Sequence, residues 1–336
     1  MTKIEYNMFE SDNGKLLKKL GVDHLKAALT KMLLIRNFDT RSEAAYQQGK
    51  IGGFFHSTVG QEAVGTAAVD ALGLDHWYST TYRCHGLAIL HEEPINELMA
   101  ELYGRSTGNA GGRGGSMHFY SDKLLGGFGI VGGHLPVVAG AAFSIKYQKQ
   151  EGKISIGFLG DGASVQGTFH ESLNLATLWD LPAVYVIENN QWGMGTAVSR
   201  AVCNQPIAES FAKAYGVDSY TLNGMDYLNC YAGFKQILAD VLKKKKPVIV
   251  EVLTERYKGH SVSDPGLYRS KEDLENAMKR DSIHKLAAEM IAAKMIKQEQ
   301  VDEINKAQKK IVIDAMKFAD ESPFPDPMSL EEGVYA

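Results

Sequence analysis

The stretch from Gly160 to Asn190 constrains the fold more than any other part of the chain. Ile154, Ile156, Phe158 and Leu159 form a short apolar run that contains Gly157 and ends at the turn Gly160-Asp161-Gly162, the pattern of a strand buried in a parallel sheet. From about Thr168 to Leu178 the apolar residues Phe169, Leu173, Ala176 and Leu178 recur at roughly helical spacing, and Pro182 stops that helix. A second apolar run, Ala183 to Ile187, leads to Glu188-Asn189-Asn190. Strand, helix and strand in so few residues predict a βαβ unit with a right-handed crossover. Both loops then open at the carboxyl ends of parallel strands, where open α/β sheets bind their ligands. Asp161 and Asn190, 29 positions apart, are expected to meet there. One carboxylate and one amide oxygen form a hard but incomplete ligand set, suited to Mg2+ completed by water and phosphate oxygens. Gly162 and Ala163 add backbone N–H groups facing an anion.

The fold class that follows is α/β, a mostly parallel central sheet with helices on both faces. The 336 residues, 44% hydrophobic and 23% charged, suffice for one large domain with a sizeable core. A formal net charge of -4 gives no electrostatic case for nucleic acid. The basic run Lys243 to Lys246 reads as a solvated tip before a buried strand, Val248 to Leu253. Cys84, Cys203 and Cys230 are odd in number and lack metal-ligand spacing, which points to a reduced compartment. Neither a targeting segment nor a run of about 20 apolar residues is evident, so the expectation is a soluble cytoplasmic protein with no membrane span.

In chain order, residues 1–22 read as an arm and Asp23 as the N-cap of a long amphipathic helix that Gly49 closes. Gly52-Gly53-Phe54-Phe55-His56 is a glycine-opened turn that places a histidine on a loop. At Thr81-Tyr82-Arg83 an arginine beside a tyrosine offers a charged fork for an anion; the alternative is a surface salt bridge. Glycines crowd the stretch from Gly104 to Gly133, which excludes a core element and leaves either a flexible loop or a backbone-lined slot; Ser116-Met117-His118 and Ile130-Val131 favour the slot. Arg256 to Gly266 is a polar loop after another strand end, so His260 also faces the opening. Residues 272–336 read as charged outer helices followed by an extended tail at Pro323, Pro325 and Pro327.

Gly160-Asp161-Gly162 followed by Asn189-Asn190 looks like a thiamine diphosphate motif. With Tyr82-Arg83, Gly114 to His118, Gly129 to Gly132 and His260 to Gly266, the chain resembles the alpha subunits of the pyruvate dehydrogenase decarboxylating component over about residues 25 to 325. The resemblance implies one thiamine diphosphate-binding domain over residues 1–336. It implies Mg2+ on the Asp161 carboxylate, the Asn190 side chain and the Trp192 carbonyl. It further implies Gly162 and Ala163 at the diphosphate, with Tyr82, Arg83 and His260 nearby, and Gly129 and Val131 carbonyls at the aminopyrimidine. His56 matches a histidine facing the reacting groups, and His56 and His260 are the catalytic candidates. The implied activity is oxidative decarboxylation of pyruvate with transfer of the two-carbon fragment to lipoyl groups on an acyltransferase; acetoin and branched-chain 2-oxo acids are the alternative substrates. Glu62 invites assignment as the activating carboxylate, but in the resembled family that glutamate comes from a beta subunit, implying an alpha2beta2 heterotetramer. Two departures stand out: Trp192 replaces a usual Tyr and Gln191 a common Arg. Ser261 matches a phosphorylated serine of animal members, whereas Ala197 fills another such site and no serine precedes Tyr268. A nicotinamide-binding Rossmann turn is disfavoured because Val165 stands where the third glycine belongs; a non-catalytic scaffold subunit is the remaining alternative.

Overall fold

The computed structural model describes residues 4–333. The first half holds α1 (Asn13–Gln47), α2 (Glu62–Leu72), β1 (Trp77–Thr81), α3 (His85–Leu90), α4 (Ile95–Leu102), β2 (Leu124–Phe128) and α5 (Leu135–Tyr147). The anticipated βαβ unit follows as β3 (Ser155–Gly160), α6 (Gly167–Leu178) and β4 (Ala183–Asn189). Beyond it lie the two-residue strands β5 (Trp192–Gly193) and β6 (Thr196–Ala197), then α7 (Val198–Ala201), α8 (Ile207–Tyr215), β7 (Asp218–Asn223), α9 (Tyr227–Lys244) and β8 (Val248–Leu253). Three helices, α10 (Lys271–Met278), α11 (Ser282–Ala292) and α12 (Gln298–Glu321), complete the outer layer.

Six strands form one sheet in the order β2-β1-β3-β4-β8-β7, every neighbouring pair parallel. The chain leaves β1 toward one edge and β3 toward the other, so the order reverses between them, and ligand crevices form at such switch points. Alternation along the strands explains their continuous apolar character. Ile156, Phe158, Val184, Val186 and Val250 pack with α1, α2 and α9 on one face; Leu159, Tyr185, Ile187 and Ile249 pack with α5, α6 and α8 on the other. At Gly157 α5 comes so close that an added Cβ would lie 2.6 Å from Val138 Cγ2. The same glycine that interrupts the apolar run is therefore what lets the helix seat.

Three expectations need correction. The helix expected from Asp23 begins at Asn13, capped by Asp12, whose carboxylate accepts the Lys15 N–H at 3.0 Å; Gly21, with φ 76, only kinks it. Ahead of it, Met8 bridges Thr221 and the Phe9 N–H donates to Thr221 O at 2.8 Å, so these residues extend the free edge of β7 rather than stand off the surface. The glycine-dense stretch, read as unable to hold a core element, contains β2, with Phe119 and Leu124 fully buried. Among the described residues no helix is long and apolar enough to cross a membrane.

Gly157→Ala is expected to destabilise the protein by about 1–3 kcal/mol through overpacking, and Val138→Ala to recover most of that loss. Denaturant unfolding of the two single variants and the pair checks this; equal loss with or without Val138 would contradict the close approach.

Candidate functional site

Gly160 pairs with Glu188 in the β3–β4 ladder, so Asp161 and Asn190 leave neighbouring strand ends together. Asp161 is 1% exposed, and its Oδ2 has no hydrogen-bond partner. Burial pushes its carboxyl up to about 6, against the opposing pull of its own and the Asn190 backbone amides and of Arg256. Asn190 donates from Nδ2 to Gln61 Oε1 at 3.1 Å, and its Oδ1 accepts the Trp192 N–H at 3.3 Å. The turn after Asp161 is a 3-10 helix, Asp161–Val165, whose first amides have no helical acceptor. An added Cβ on Gly162 would lie 3.3 Å from Gly193 Cα, so two glycines let the loop after β4 and the turn touch backbone to backbone. Asn189, the first of the paired asparagines, is structural: it donates to Glu251 Oε1 at 2.7 Å and accepts the Gln191 N–H at 3.0 Å. Gln191 and Met194 bend the loop with φ 70 and 54.

The second group of expected residues also converges. The His56 ring lies 4.4 Å from Tyr82 and 5.0 Å from His260, centre to centre, and Tyr82 lies 5.5 Å from His260. Both histidines keep an unpartnered buried Nδ1. Burial, with Arg83 next, lowers His56 to about 2 and His260 to about 4, so both are neutral imidazoles near pH 7. Arg83 is buried rather than in a surface salt bridge. It donates to the carbonyls of Ser57 and, at 3.0 Å, of His260, and burial lowers it to about 10. Gly129 follows the end of β2, adjacent to β1, with Val131 half-exposed two residues on.

Sequence reasoning missed the residue that ties these groups together. Arg256, 1% exposed, donates to Trp192 O at 3.4 Å, Met194 O at 3.2 Å and Tyr268 OH at 2.6 Å. Tyr268 OH in turn donates to Asp264 at 2.7 Å, and Asp264 accepts the His260 N–H at 2.6 Å. The Trp192 carbonyl expected on a metal thus already faces a cation, and the loop after β4 is joined to the His260 loop. Among the described residues neither Arg83 nor Arg256 forms an ion pair with a carboxylate, which is unusual for buried guanidinium groups.

Three other polar groups prove structural. Glu62 is held by Arg36, which also binds Asp281 at 2.8 Å, and it accepts the Gly60 N–H at 3.0 Å; it is not free for the activating role. Glu101, 0% exposed, accepts backbone N–H groups from Ala110, Gly112, Gly114 and Gly115 at 2.7–3.0 Å. The first half of the glycine stretch is therefore wrapped round the protein's own carboxylate. His85 joins Asp39 at 2.7 Å and Ser116 at 2.9 Å in the outline of a nucleophilic triad, but all three are sealed from solvent.

These donors fit a divalent cation and a diphosphate. An orphaned buried carboxylate oxygen, an amide oxygen beside it, a backbone cradle only glycines allow and two buried guanidinium groups with no carboxylate at ion-pair distance are what such a ligand satisfies. No group of three or more His, Cys, Asp or Glu suited to a metal exists among the described residues, so an ion here relies on phosphate and water oxygens too. A family model described as the dehydrogenase E1 component matches residues 30–328. The chain belongs to that family. It is 40% identical over 306 residues to the pyruvate dehydrogenase E1 component subunit alpha of Rickettsia bellii, covering 90% of this chain and 93% of that protein. The same subunit of Rhizobium meliloti is 38% identical over 307 residues, 90% of this chain and 87% of its own length. A mitochondrial subunit of that name from Kluyveromyces lactis is 38% identical over 297 residues, 88% of this chain and 71% of its own. Members of the dehydrogenase E1 family depend on thiamine diphosphate.

Because folding raises the Asp161 carboxyl above its ordinary 3.8, the fold favours its protonated form, and the charge destabilises the ligand-free protein at pH 8. Asp161→Asn is expected to stabilise the cofactor-free protein there by about 2 kcal/mol, a gain that fades as pH falls through about 6 to below 4. Thermal melts across that range check it; an Asn variant melting below the parent at pH 8 would contradict it.

Proposed function

We propose that this chain is the alpha subunit of a thiamine diphosphate-dependent pyruvate dehydrogenase, carrying the metal and diphosphate half of an active site that a beta subunit completes. The observation that carries the reading is the buried Asp161 carboxylate with its unpartnered Oδ2 beside Asn190, in a region where Arg256 pulls on that carboxyl and the buried Arg83 forms no ion pair. In this reading the single domain over residues 1–336 holds Mg2+ through Asp161, Asn190 and the Trp192 carbonyl. The Gly162 and Ala163 amides, Tyr82, Arg83 and His260 take the diphosphate, and the Gly129 and Val131 carbonyls the aminopyrimidine. When bound, the cofactor supplies a carbon nucleophile for the carbonyl of a 2-oxo acid and an electron sink for loss of carbon dioxide.

The chain's own residues bind, orient and move protons. Arg83 and Arg256 offset phosphate charge in a site where burial makes each contact strong. His56 and His260, neutral near pH 7, would exchange hydrogen bonds with the reacting groups without adding positive charge beside a bound cation. Glu62, clamped by Arg36, cannot be the activating acid, which supports a glutamate from the beta subunit. The rim supports a covering partner as well. Phe54, Ile130, Met194 and Leu267 are 62%, 77%, 64% and 88% exposed. The last three sit on loops that leave the carboxyl edge of the sheet, and Phe54 sits against His56, 6.2 Å from ring to ring. Large apolar side chains grouped in this way mark an interaction surface. The assembly is an alpha2beta2 heterotetramer in the cytoplasm that passes the two-carbon fragment to lipoyl groups of an acyltransferase.

Purified alone, the chain is expected not to decarboxylate pyruvate. Co-purified with its beta subunit and assayed with an artificial electron acceptor, it is expected to turn over pyruvate ahead of branched-chain 2-oxo acids and acetoin. Robust turnover by the lone chain would contradict the shared site.

A further inference from the structure

We propose that Gln61 is a positioning residue that selects which end of the Asn190 amide faces the metal. An asparagine can offer a divalent cation its Oδ1 but not its Nδ2, and the two ends are nearly equal in size. Asn190 Nδ2 donates to Gln61 Oε1 at 3.1 Å, while Oδ1 lies against the Trp192 N–H at 3.3 Å. The Trp192 amide can only donate and favours Oδ1 on its side, but its bond is the longer of the two, and the Gln61 acceptor holds Nδ2 on the other. Turning the Asn190 amide over would set Nδ2 against that N–H and bring Oδ1 to the Gln61 oxygen. Gln61 is 1% and Asn190 7% exposed, so water does not replace the lost bond.

The Gln61 backbone is itself held in place. Its N–H donates to Thr58 O at 2.9 Å. Before it, Gly60 has φ 101, and an added Cβ there would lie 2.3 Å from Glu255 O. After it, Glu62 is clamped by Arg36, which Asp281 holds in turn. The partly buried Arg36–Glu62–Asp281 group, which the reaction does not use, thereby anchors the start of α2. None of these residues reaches the metal itself. The inference rests on the proposed placement of Mg2+ at Asp161 and Asn190.

The test uses the full chain with its co-purified beta subunit and Mn2+ as probe, its binding in the presence of thiamine diphosphate followed by the electron paramagnetic resonance of free Mn2+. Gln61→Met, without an acceptor, is expected to weaken Mn2+ binding about 10–100-fold. Gln61→Glu keeps the acceptor and is expected to retain the parent affinity. In an Asn190→Asp background both oxygens are equivalent and no orientation remains to be chosen, so Gln61→Met should there change the affinity by no more than about twofold. Equal loss in both backgrounds, or a loss with Gln61→Glu as large as with Gln61→Met, overturns the proposal. Should Gln61→Met fail to fold, Gln61→Leu takes its place, and Gln61→Glu still decides the matter. Asp161→Ala separates the two levels: parent-like Mn2+ binding in that variant removes the metal site and the Gln61 role with it, whereas lost binding together with equal Gln61→Met effects removes the Gln61 role alone.

Discussion

Two buried guanidinium groups without carboxylate partners set the terms for the rest of the site. Arg83 and Arg256 are held by backbone carbonyls and, for Arg256, by the Tyr268 hydroxyl. These contacts position the charges without neutralising them, while the nearby Asp161 carboxylate is equally short of partners. A protein tolerates such an arrangement only where a ligand resolves it. The parallel sheet makes it possible: its strands end on one edge, so loops from β1, β3, β4 and β8 bring their polar residues to the same crevice. The same arrangement neutralises His56 and His260, since both feel Arg83 and Arg256 as well as burial.

Stability and function pull against each other here. Elsewhere the interior satisfies its charges: Glu101 with four backbone amides, Glu62 with Arg36, His85 with Asp39. The contrast makes the site informative, because the fold has the means to pair buried charges and leaves Asp161 Oδ2 without a partner and Arg83 and Arg256 without an ion pair. The large hydrophobic core on both faces of the sheet supplies the margin that lets the site stay unsatisfied.

What could be read from the sequence was what is local. The βαβ unit showed in its apolar periods, Gly157 and Pro182, and Asp161 and Asn190 followed because strand ends in such a unit lie side by side. What escaped depends on contacts between distant segments. Arg256 lies 64 positions from Trp192, and nothing in its neighbourhood distinguishes it from a surface arginine. The glycines from Gly108 to Gly115 looked like a ligand slot because a backbone nest for an internal carboxylate has the same composition as one for an external anion. Glu62 could be named but not judged, since its pairing with Arg36 and Asp281 joins helices far apart in the chain. The helix start at Asn13 was hidden by Gly21, which reads as a terminator but acts as a kink.

The most direct test of the central claim is anomalous diffraction from crystals of the assembled protein grown with Mn2+ and thiamine diphosphate. A single Mn2+ peak within about 2.0–2.3 Å of an Asp161 carboxylate oxygen and Asn190 Oδ1 is the predicted result. Diphosphate density with the metal elsewhere, or with no metal contact to Asp161, would contradict the account.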